Sequence, residues 1–238
     1  MTEFISPQPI AADLHKKLLS VETATLATIL RKKGINNAVI EGLCTTQPGK
    51  KICGVARTLR YIPAREDLQG GGGPYNIQKQ LIDQVGEGEI LVIEARGNIQ
   101  AGTLGDMMAL RMKVHGAQGV ITDGCIRDME EITSIGLPVF SAGVHPAQPP
   151  RMHIPWDADL TISCGNTAVQ PGDYIMADQN GIIVLAPSMA EEVVEEAIAH
   201  EKKEEFIVMQ LQAGHPIKGL IPMDEQMKAA FEQFIKQG

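Results

Sequence analysis

Aromatic residues are scarce in this chain. They make up 4% of it, with a single Trp, which argues against a base-stacking surface for single-stranded nucleic acid. A basic excess is missing too. With 21 Lys+Arg against 29 Asp+Glu, the net charge is −8, and an acidic balance excludes a general nucleic-acid binder. The four cysteines (Cys44, Cys53, Cys125 and Cys164) are widely spaced and form no CxxC pair, so the paired-cysteine signature of a structural zinc site is absent. No secretory leader is read at the start, which predicts reduced thiols and a cytoplasmic location. No run of about 18 apolar residues occurs, so no membrane span is expected. The glycine stretch Gln69–Pro74 has no GxxxxGK[ST] phosphate-loop pattern, leaving a mobile loop at a site mouth or a plain insertion.

What remains is an ordinary globular composition. A chain of 238 residues with 44% hydrophobic residues and 24 glycines suits one α/β domain with a sizeable core. Its organising stretch runs from Gly102 to Asp128. Gly102-Thr-Leu-Gly105-Asp106 reads as a glycine-bearing turn, Met107 to His115 as a helix stopped by Gly116, and Gly119 to Thr122 as a short buried strand. An acidic-glycine turn, Asp123 to Asp128, follows. Such a unit can bring both turns to one sheet edge, where α/β proteins bind ligands. Asp106 and Asp128 are hard oxygen ligands suited to Mg²⁺ or Mn²⁺. Arg127 is a planar fork for a carboxylate, and the amides at the helix start would favour an anion. The competing reading makes Asp106 a helix cap and Arg127–Asp128 a surface ion pair. Cys125 is read as a packing residue rather than a nucleophile, because no His adjoins it in sequence.

The flanking chain carries less chemistry. A proline-bearing arm (1–9) precedes helices at Ile10–Leu19 and Ala24–Lys33, the second capped from Ser20-Val-Glu-Thr23. Strand-like Gly49–Tyr61 and its exit hold Arg57, Arg60 and Arg65, which could receive an acidic ligand or pair with carboxylates. Asn76–Val85 is an amphipathic helix and Ile90–Glu94 a strand. Met129–Ile135 reads as a helix and Leu137–Phe140 as a strand. The prolines of 143–155 bar a helix, and the spacing of His145 and His153 does not favour a metal pair. Asp157–Ser163 alternates like a strand. Tyr174–Ala177 and Ile182–Leu185 form a hairpin over Asp178–Gly181. Ser188 caps a long helix from Met189 to Gln212, and Asp224–Lys236 is a final amphipathic helix. Its Met227, Phe231 and Phe234 suit docking on a neighbour or on the chain's own core. Lys113 is read as a surface residue. The pattern predicts a β-rich layered α/β domain without the regular βαβ repeat of a full barrel.

Three segments resemble the RraA-like family, which includes class II 4-hydroxy-4-methyl-2-oxoglutarate aldolases with oxaloacetate decarboxylase activity. They are Gly88-Glu-Ile-Leu-Val-Ile93, then Leu104-Gly-Asp-Met-Met108 with Gly124-Cys-Ile-Arg-Asp128, then Pro171-Gly-Asp-Tyr-Ile-Met-Ala-Asp178 with Gly181-Ile-Ile-Val184. The similarity spans roughly residues 20–210. It implies one RraA-like domain over 1–238, with an N-terminal helical arm and a C-terminal helical tail. The implied fold is a layered β/β/α, swivelling-domain-like α/β fold, with a central β-sandwich or barrel-like core flanked by helices. It also implies a homotrimer or hexamer with sites between subunits, and a Mg²⁺ (or Mn²⁺) cofactor. The substrate would be a small 2-oxo acid. By motif, Asp128 matches the metal-ligating aspartate and Arg127 the substrate-binding arginine. Gly105, Asp106, Met107 and Met108 match the loop whose backbone holds the substrate carboxylate, and Asp106 also matches an acidic residue that orders water. A glutamate from a neighbouring subunit completes the family's site, with Glu201, Glu204 and Glu205 as candidates. The glycine stretch at 70–73 and the tail after Leu211 go beyond the shorter aldolases.

The resemblance implies a lyase that cleaves a 4-hydroxy-2-oxo acid to pyruvate. An aldolase for a 2-keto-3-deoxy sugar acid would use the same metal and arginine. Regulators of a ribonuclease share the fold but typically lack the aspartate after the arginine, which is present here as Asp128. A quinone-pathway methyltransferase would need a glycine-rich loop after a first strand, which the chain lacks.

Overall fold

The computed structural model describes residues 4–65, 67 and 76–237. The Gln69–Pro74 loop expectation therefore lies outside the described residues. Two helices open the chain, α1 (Ala12–Ser20) and α2 (Thr23–Lys32), followed by strands β1 (Val39–Ile40), β2 (Cys44–Thr45) and the long β3 (Ile52–Pro63). Next come α3 (Ile77–Ile82), β4 (Glu89–Glu94), α4 (Asp106–Val114), β5 (Gly119–Ile126), α5 (Met129–Ile135) and β6 (Val139–Val144). Strands β7 (His153–Ala158), β8 (Ile162–Cys164), β9 (Thr167–Val169), β10 (Tyr174–Ala177) and β11 (Ile182–Leu185) lead to helices α6 (Ala190–Gln212) and α7 (Glu225–Gln237).

Among the described residues, nine strands form one sheet in the order β1-β11-β10-β3-β4-β5-β6-β2, with β7 also on β3. The sheet curls into a half-barrel. Its centre is parallel: β3, β4, β5 and β6 run the same way and are linked by α3, α4 and α5. Three consecutive βαβ units are thus present, short of the eight of a closed barrel. The outer strands pair antiparallel.

Alternation along the central strands explains the layering. Leu91 and Ile93 of β4 face one way, into the core beneath α3, α4 and α5. Ile90 and Val92 face the other, into the hollow of the curled sheet, where Ile121, Phe140 and Ile175 meet them. A third core joins α1, α2 and α6 to Met176, Ile183 and Leu185 of the β10–β11 hairpin. Each fully buried Ile or Leu contributes about 1.5–3 kcal/mol.

Several local expectations need correction. Strand β5 does not stop at Thr122; it continues buried through Asp123-Gly124-Cys125 to Ile126. What reads as an acidic turn is an irregular step in the strand, where the β5–β6 register shifts between Thr122 and Cys125 and the Asp123 carboxylate accepts the amides of Ala95 and Gly97. Burial nonetheless pushes the Asp123 carboxyl upward, against those amide bonds. Strand β7 begins at His153, earlier than the Asp157 expected. Pro155 fits within it because β7 pairs only with β3. Ser20 does not cap α2, since its hydroxyl donates to the Lys17 carbonyl. Asp178 does so from the hairpin turn, accepting from both the amide (2.9 Å) and the hydroxyl (2.6 Å) of Thr23. Ser188 lies in a single 3₁₀ turn before α6, which has no side-chain cap.

Candidate active site

The chain between β4 and α4 places the chemistry. Strand β4 pairs with β5 only as far as Ile93↔Thr122. Beyond that point the 102–104 segment takes its place beside β5. Gly102 bridges Cys125 in parallel, Thr103 N–H donates to the Cys125 carbonyl (2.7 Å), and Arg127 N–H donates to the Leu104 carbonyl (2.8 Å). The chain then turns at Gly105 into α4. The helix start is thereby fastened to the carboxyl end of a parallel strand, where α/β sheets bind ligands.

Two glycines make this approach feasible. A Cβ on Gly102 would collide with the Arg127 side-chain stem. A Cβ on Gly105 would lie 2.7 Å from Asp128 Oδ2. The spacing of three in Gly102-Thr-Leu-Gly105 thus receives two consecutive side chains from the end of β5. Neither contact requires a positive φ; what the glycines provide is room.

Asp128 itself adopts φ 56°, ψ 47°, a left-handed conformation uncommon for a residue with a Cβ. It stands at the N-terminus of α5, yet its carboxylate makes no capping bond there. The nearest guanidinium nitrogen, Arg127 Nη2, is 3.9 Å away, too far for a hydrogen bond. Asp128 is therefore neither a helix cap nor half of a tight surface pair. Among the described residues, the buried Nε of Arg127 has no hydrogen-bond partner. Asp106 is the first residue of α4, behind Gly105, which has no side chain to cap that helix. The first four amides of a helix have no intrahelical acceptor, and the first α4 turn bond is Ala109 N–H to the Gly105 carbonyl (3.1 Å).

These groups line one cleft of about 640 Å³. The structure brings Gly105, Asp106, Met107, Met108, Arg127 and Asp128 into it together. It also brings residues that sequence reasoning missed. Asn76, Gln78 and Lys79 come from the start of α3, Glu131 from α5, and Gln148, Pro149, Pro150 and Pro155 from the far wall. No local signal marks Gln78 or Lys79 as site residues, because they lie more than twenty positions before the motif. The described lining holds two formal cations and three carboxylates, Asp106, Asp128 and Glu131. A divalent cation would turn a net single negative charge into a net single positive one, which suits an anionic substrate.

Asp128 offers such a cation a carboxylate not engaged in capping its own helix. Among the described residues no group of three His, Cys, Asp or Glu could hold a metal. One carboxylate, with water and substrate oxygens completing the shell, is how Mg²⁺ is commonly bound.

Other candidates fall outside the cleft. Arg57 is held by Asp159 and Glu89, Arg60 by Asp157 and Arg65 by Asp67. The Cys125 thiol donates to the Ile99 carbonyl and burial raises its pKa, which disfavours a thiolate. His145 Nδ1 accepts the Ala147 amide. His153 is fully buried against Tyr61, ring centroids 4.8 Å apart. Lys113 Nζ donates to the Gly136 carbonyl. Within its own chain Glu201 accepts the Glu22 amide (2.6 Å), Glu204 pairs with His200, and Glu205 with Lys202.

Comparison with known proteins adds the following. Residues 23–184 match the family model described as RraA-like, Aldolase/RraA. The chain is 27% identical over 209 residues to protein DlpA of Legionella pneumophila, covering 87% of this chain and 33% of that protein. It is 38% identical over 109 residues to a Hahella chejuensis protein provisionally named 4-hydroxy-4-methyl-2-oxoglutarate aldolase, covering 46% of this chain and 66% of that protein. The chain thus spans about a third of the first relative's length and just under two thirds of the second's. RraAS2 of Streptomyces coelicolor, described as an unusual member of the RNase ES inhibitor RraA protein family, superposes with a TM-score of 0.79. It is 32% identical, with 86% of this chain and 100% of that chain covered.

Proposed function

The chain belongs to the RraA-like family, and from that premise we propose that it is a divalent-metal-dependent carbon–carbon lyase. It cleaves a 4-hydroxy-2-oxo acid to pyruvate and decarboxylates oxaloacetate. One observation carries this reading: Asp128, uncapping and left-handed, faces the uncapped start of α4 across Gly105, beside an Arg127 whose Nε is unpartnered among the described residues. The aldolase name of the Hahella relative points the same way.

Each residue has a definable task. Asp128 holds the cation, Mg²⁺ or Mn²⁺. When bound there, such an ion supplies Lewis-acid stabilisation of charge on the substrate's keto oxygen, worth several kcal/mol. The amides of Gly105, Asp106, Met107 and Met108 receive the carboxylate next to the keto group. Arg127 binds and polarises the oxygen of the departing half, through a fork that an ammonium cannot reproduce. Asp106 orders a water that takes the proton of the C4 hydroxyl, a contribution of about 10²–10⁴-fold. Decarboxylation of oxaloacetate needs no such proton removal, so the same site serves both reactions.

The assembly proposed is a homotrimer or hexamer. Met107, Leu110 and Val114 form an apolar stripe on the outer face of α4, at 80%, 50% and 74% exposure, next to the cleft mouth. Burial of that stripe by a second copy would place the site between subunits. In that arrangement one of Glu201, Glu204 and Glu205, all on α6, would reach a neighbour's cleft.

Pyruvate release from oxaloacetate and from 4-hydroxy-4-methyl-2-oxoglutarate, with Mg²⁺, Mn²⁺ or EDTA, tests the proposal. Metal-dependent release from both substrates is expected, and Arg127→Lys should lose about 10²-fold in kcat/KM. Release from oxaloacetate alone would redirect the aldol substrate toward 2-keto-3-deoxy sugar acids. The ribonuclease-inhibitor description of RraAS2 favours a second reading, a protein-binding regulator. That reading predicts no turnover in a folded, metal-loaded protein.

A further inference from the structure

The cleft edge before α4 includes a peptide whose carbonyl is held by two buried side chains, Gln78 within the lining and Tyr61 outside it. The carbonyl of Thr103 accepts from Gln78 Nε2 (2.7 Å) and from the Tyr61 hydroxyl (3.1 Å). Both donors are buried, at 2% and 0% exposure. They come from different elements, α3 and β3, and converge on one oxygen. On its other side Thr103 is fixed to β5: its amide and its hydroxyl both donate to the Cys125 carbonyl. The 103–104 peptide is trans, and in a trans peptide the C=O and the following N–H point in opposite directions. Holding the Thr103 carbonyl toward Gln78 and Tyr61 therefore turns the Leu104 N–H away from them. Leu104 lines the cleft and directly precedes Gly105 and the uncapped α4 start. Rotation of this peptide would replace an N–H with a carbonyl oxygen, which repels a carboxylate.

We infer that Gln78 and Tyr61 are positioning residues, which orient the Thr103–Leu104 peptide so that its N–H joins the α4 amides in receiving the carboxylate of a 2-oxo acid. The inference rests on the lyase reading of the cleft. Neither residue belongs to the glycine–aspartate motif. Burial raises the Tyr61 hydroxyl's pKa far above its ordinary value, so it remains a donor across the working pH range. Asn76 supports the arrangement: its Oδ1 accepts the Lys79 amide (3.1 Å) and caps the short helix that carries Gln78.

The test is calorimetric titration of pyruvate into the Mg²⁺-loaded protein, with KM and kcat for oxaloacetate measured alongside. Tyr61→Phe and Gln78→Met should each weaken pyruvate binding by about 3–10-fold, raising KM while kcat stays within about twofold. Gln78→Glu provides a readout that a merely structural role would not move. Its ionised carboxylate cannot donate to Thr103, whereas its protonated form can. Binding to Gln78→Glu should be weakest near pH 8 and recover relative to wild type as the pH falls toward 5. Wild-type affinity in all three variants, or no relative recovery in Gln78→Glu, overturns the inference and leaves the lyase reading standing. A folded wild-type protein that binds no pyruvate with Mg²⁺ overturns both.

Discussion

At Asp128 a left-handed backbone coincides with a carboxylate that makes no capping bond to α5, and such strain, of order 1–3 kcal/mol, clusters at functional sites. Replacement by glycine removes the side chain but accepts that backbone. Asp128→Gly should keep stability within about 1 kcal/mol of wild type in urea melts while turnover is lost. A mainly structural Asp128 would instead give a destabilised, active enzyme. The two close-approach glycines predict the complementary result. In Gly105→Ala the new methyl meets the Asp128 carboxylate, so metal-dependent activity should fall at least about tenfold while the protein still folds. Wild-type activity there would mean that Asp128 need not lie where it does. His153 makes stability depend on pH in the acid range. Burial first, and the positive charge of Arg96 second, lower its pKa to about 4 from about 6.5 when unfolded. The unfolded chain then binds the proton more readily, so stability is full above about pH 6.5 and declines toward pH 4, by about 3 kcal/mol in all. His153→Phe should flatten that dependence in denaturant titrations between pH 7 and 4. At this scale the sequence points to Asp106, Arg127 and Asp128 through the family motif rather than through their types alone, and the structure brings the three into one cleft. Gln78 and Tyr61 are not legible, because their importance lies in a shared acceptor on a distant loop.

Among the elements, α4, α5 and the β10–β11 hairpin follow the residue pattern closely, since the glycines that stop the two helices, Gly116 and Gly136, and the turn residues of the hairpin are local signals. The extension of β5 does not, because the amides that its Asp123 accepts lie on the loop after β4. The cap of α2 fails for the same reason: sequence offers Ser20, and the fold supplies Asp178 from more than 150 positions away. Hydrogen bonds from Thr23 and Asn180 hold the Asp178 carboxyl below its ordinary pKa despite the opposing effect of burial. Asp178→Ala should therefore cost about 0.5–2 kcal/mol in stability and leave kcat/KM unchanged, since Asp178 is not among the cleft's lining residues. A loss of activity without loss of stability would contradict its assignment as a cap.

Among the exposed apolar side chains of the described residues, two groups stand on or beside helices. One is the outer stripe of α4. The other is the end of α6 with its following turn, where Val208, Met209, Ile217 and Ile221 are exposed. The tail's own aromatic residues have an internal partner, with Phe231 and Phe234 packing on Phe206 at 5.4 and 5.6 Å between centroids. Docking on the chain's own helix is thus the observed arrangement for those two side chains. If the α4 stripe is an interface, Leu110→Glu with Val114→Glu should lower the sedimenting mass and reduce turnover together. An unchanged mass would remove that stripe from the assembly. Oligomeric state leaves little trace in a single sequence, because a buried interface and a buried core call for the same residues.

The most direct measurement is pyruvate formation from oxaloacetate by wild type and Asp128→Ala, each titrated with Mg²⁺ from metal-free protein. Saturable, metal-dependent formation by wild type and none above the solution background in the variant is the predicted result. Equal metal-dependent rates in the two proteins would contradict a lyase site built on Asp128.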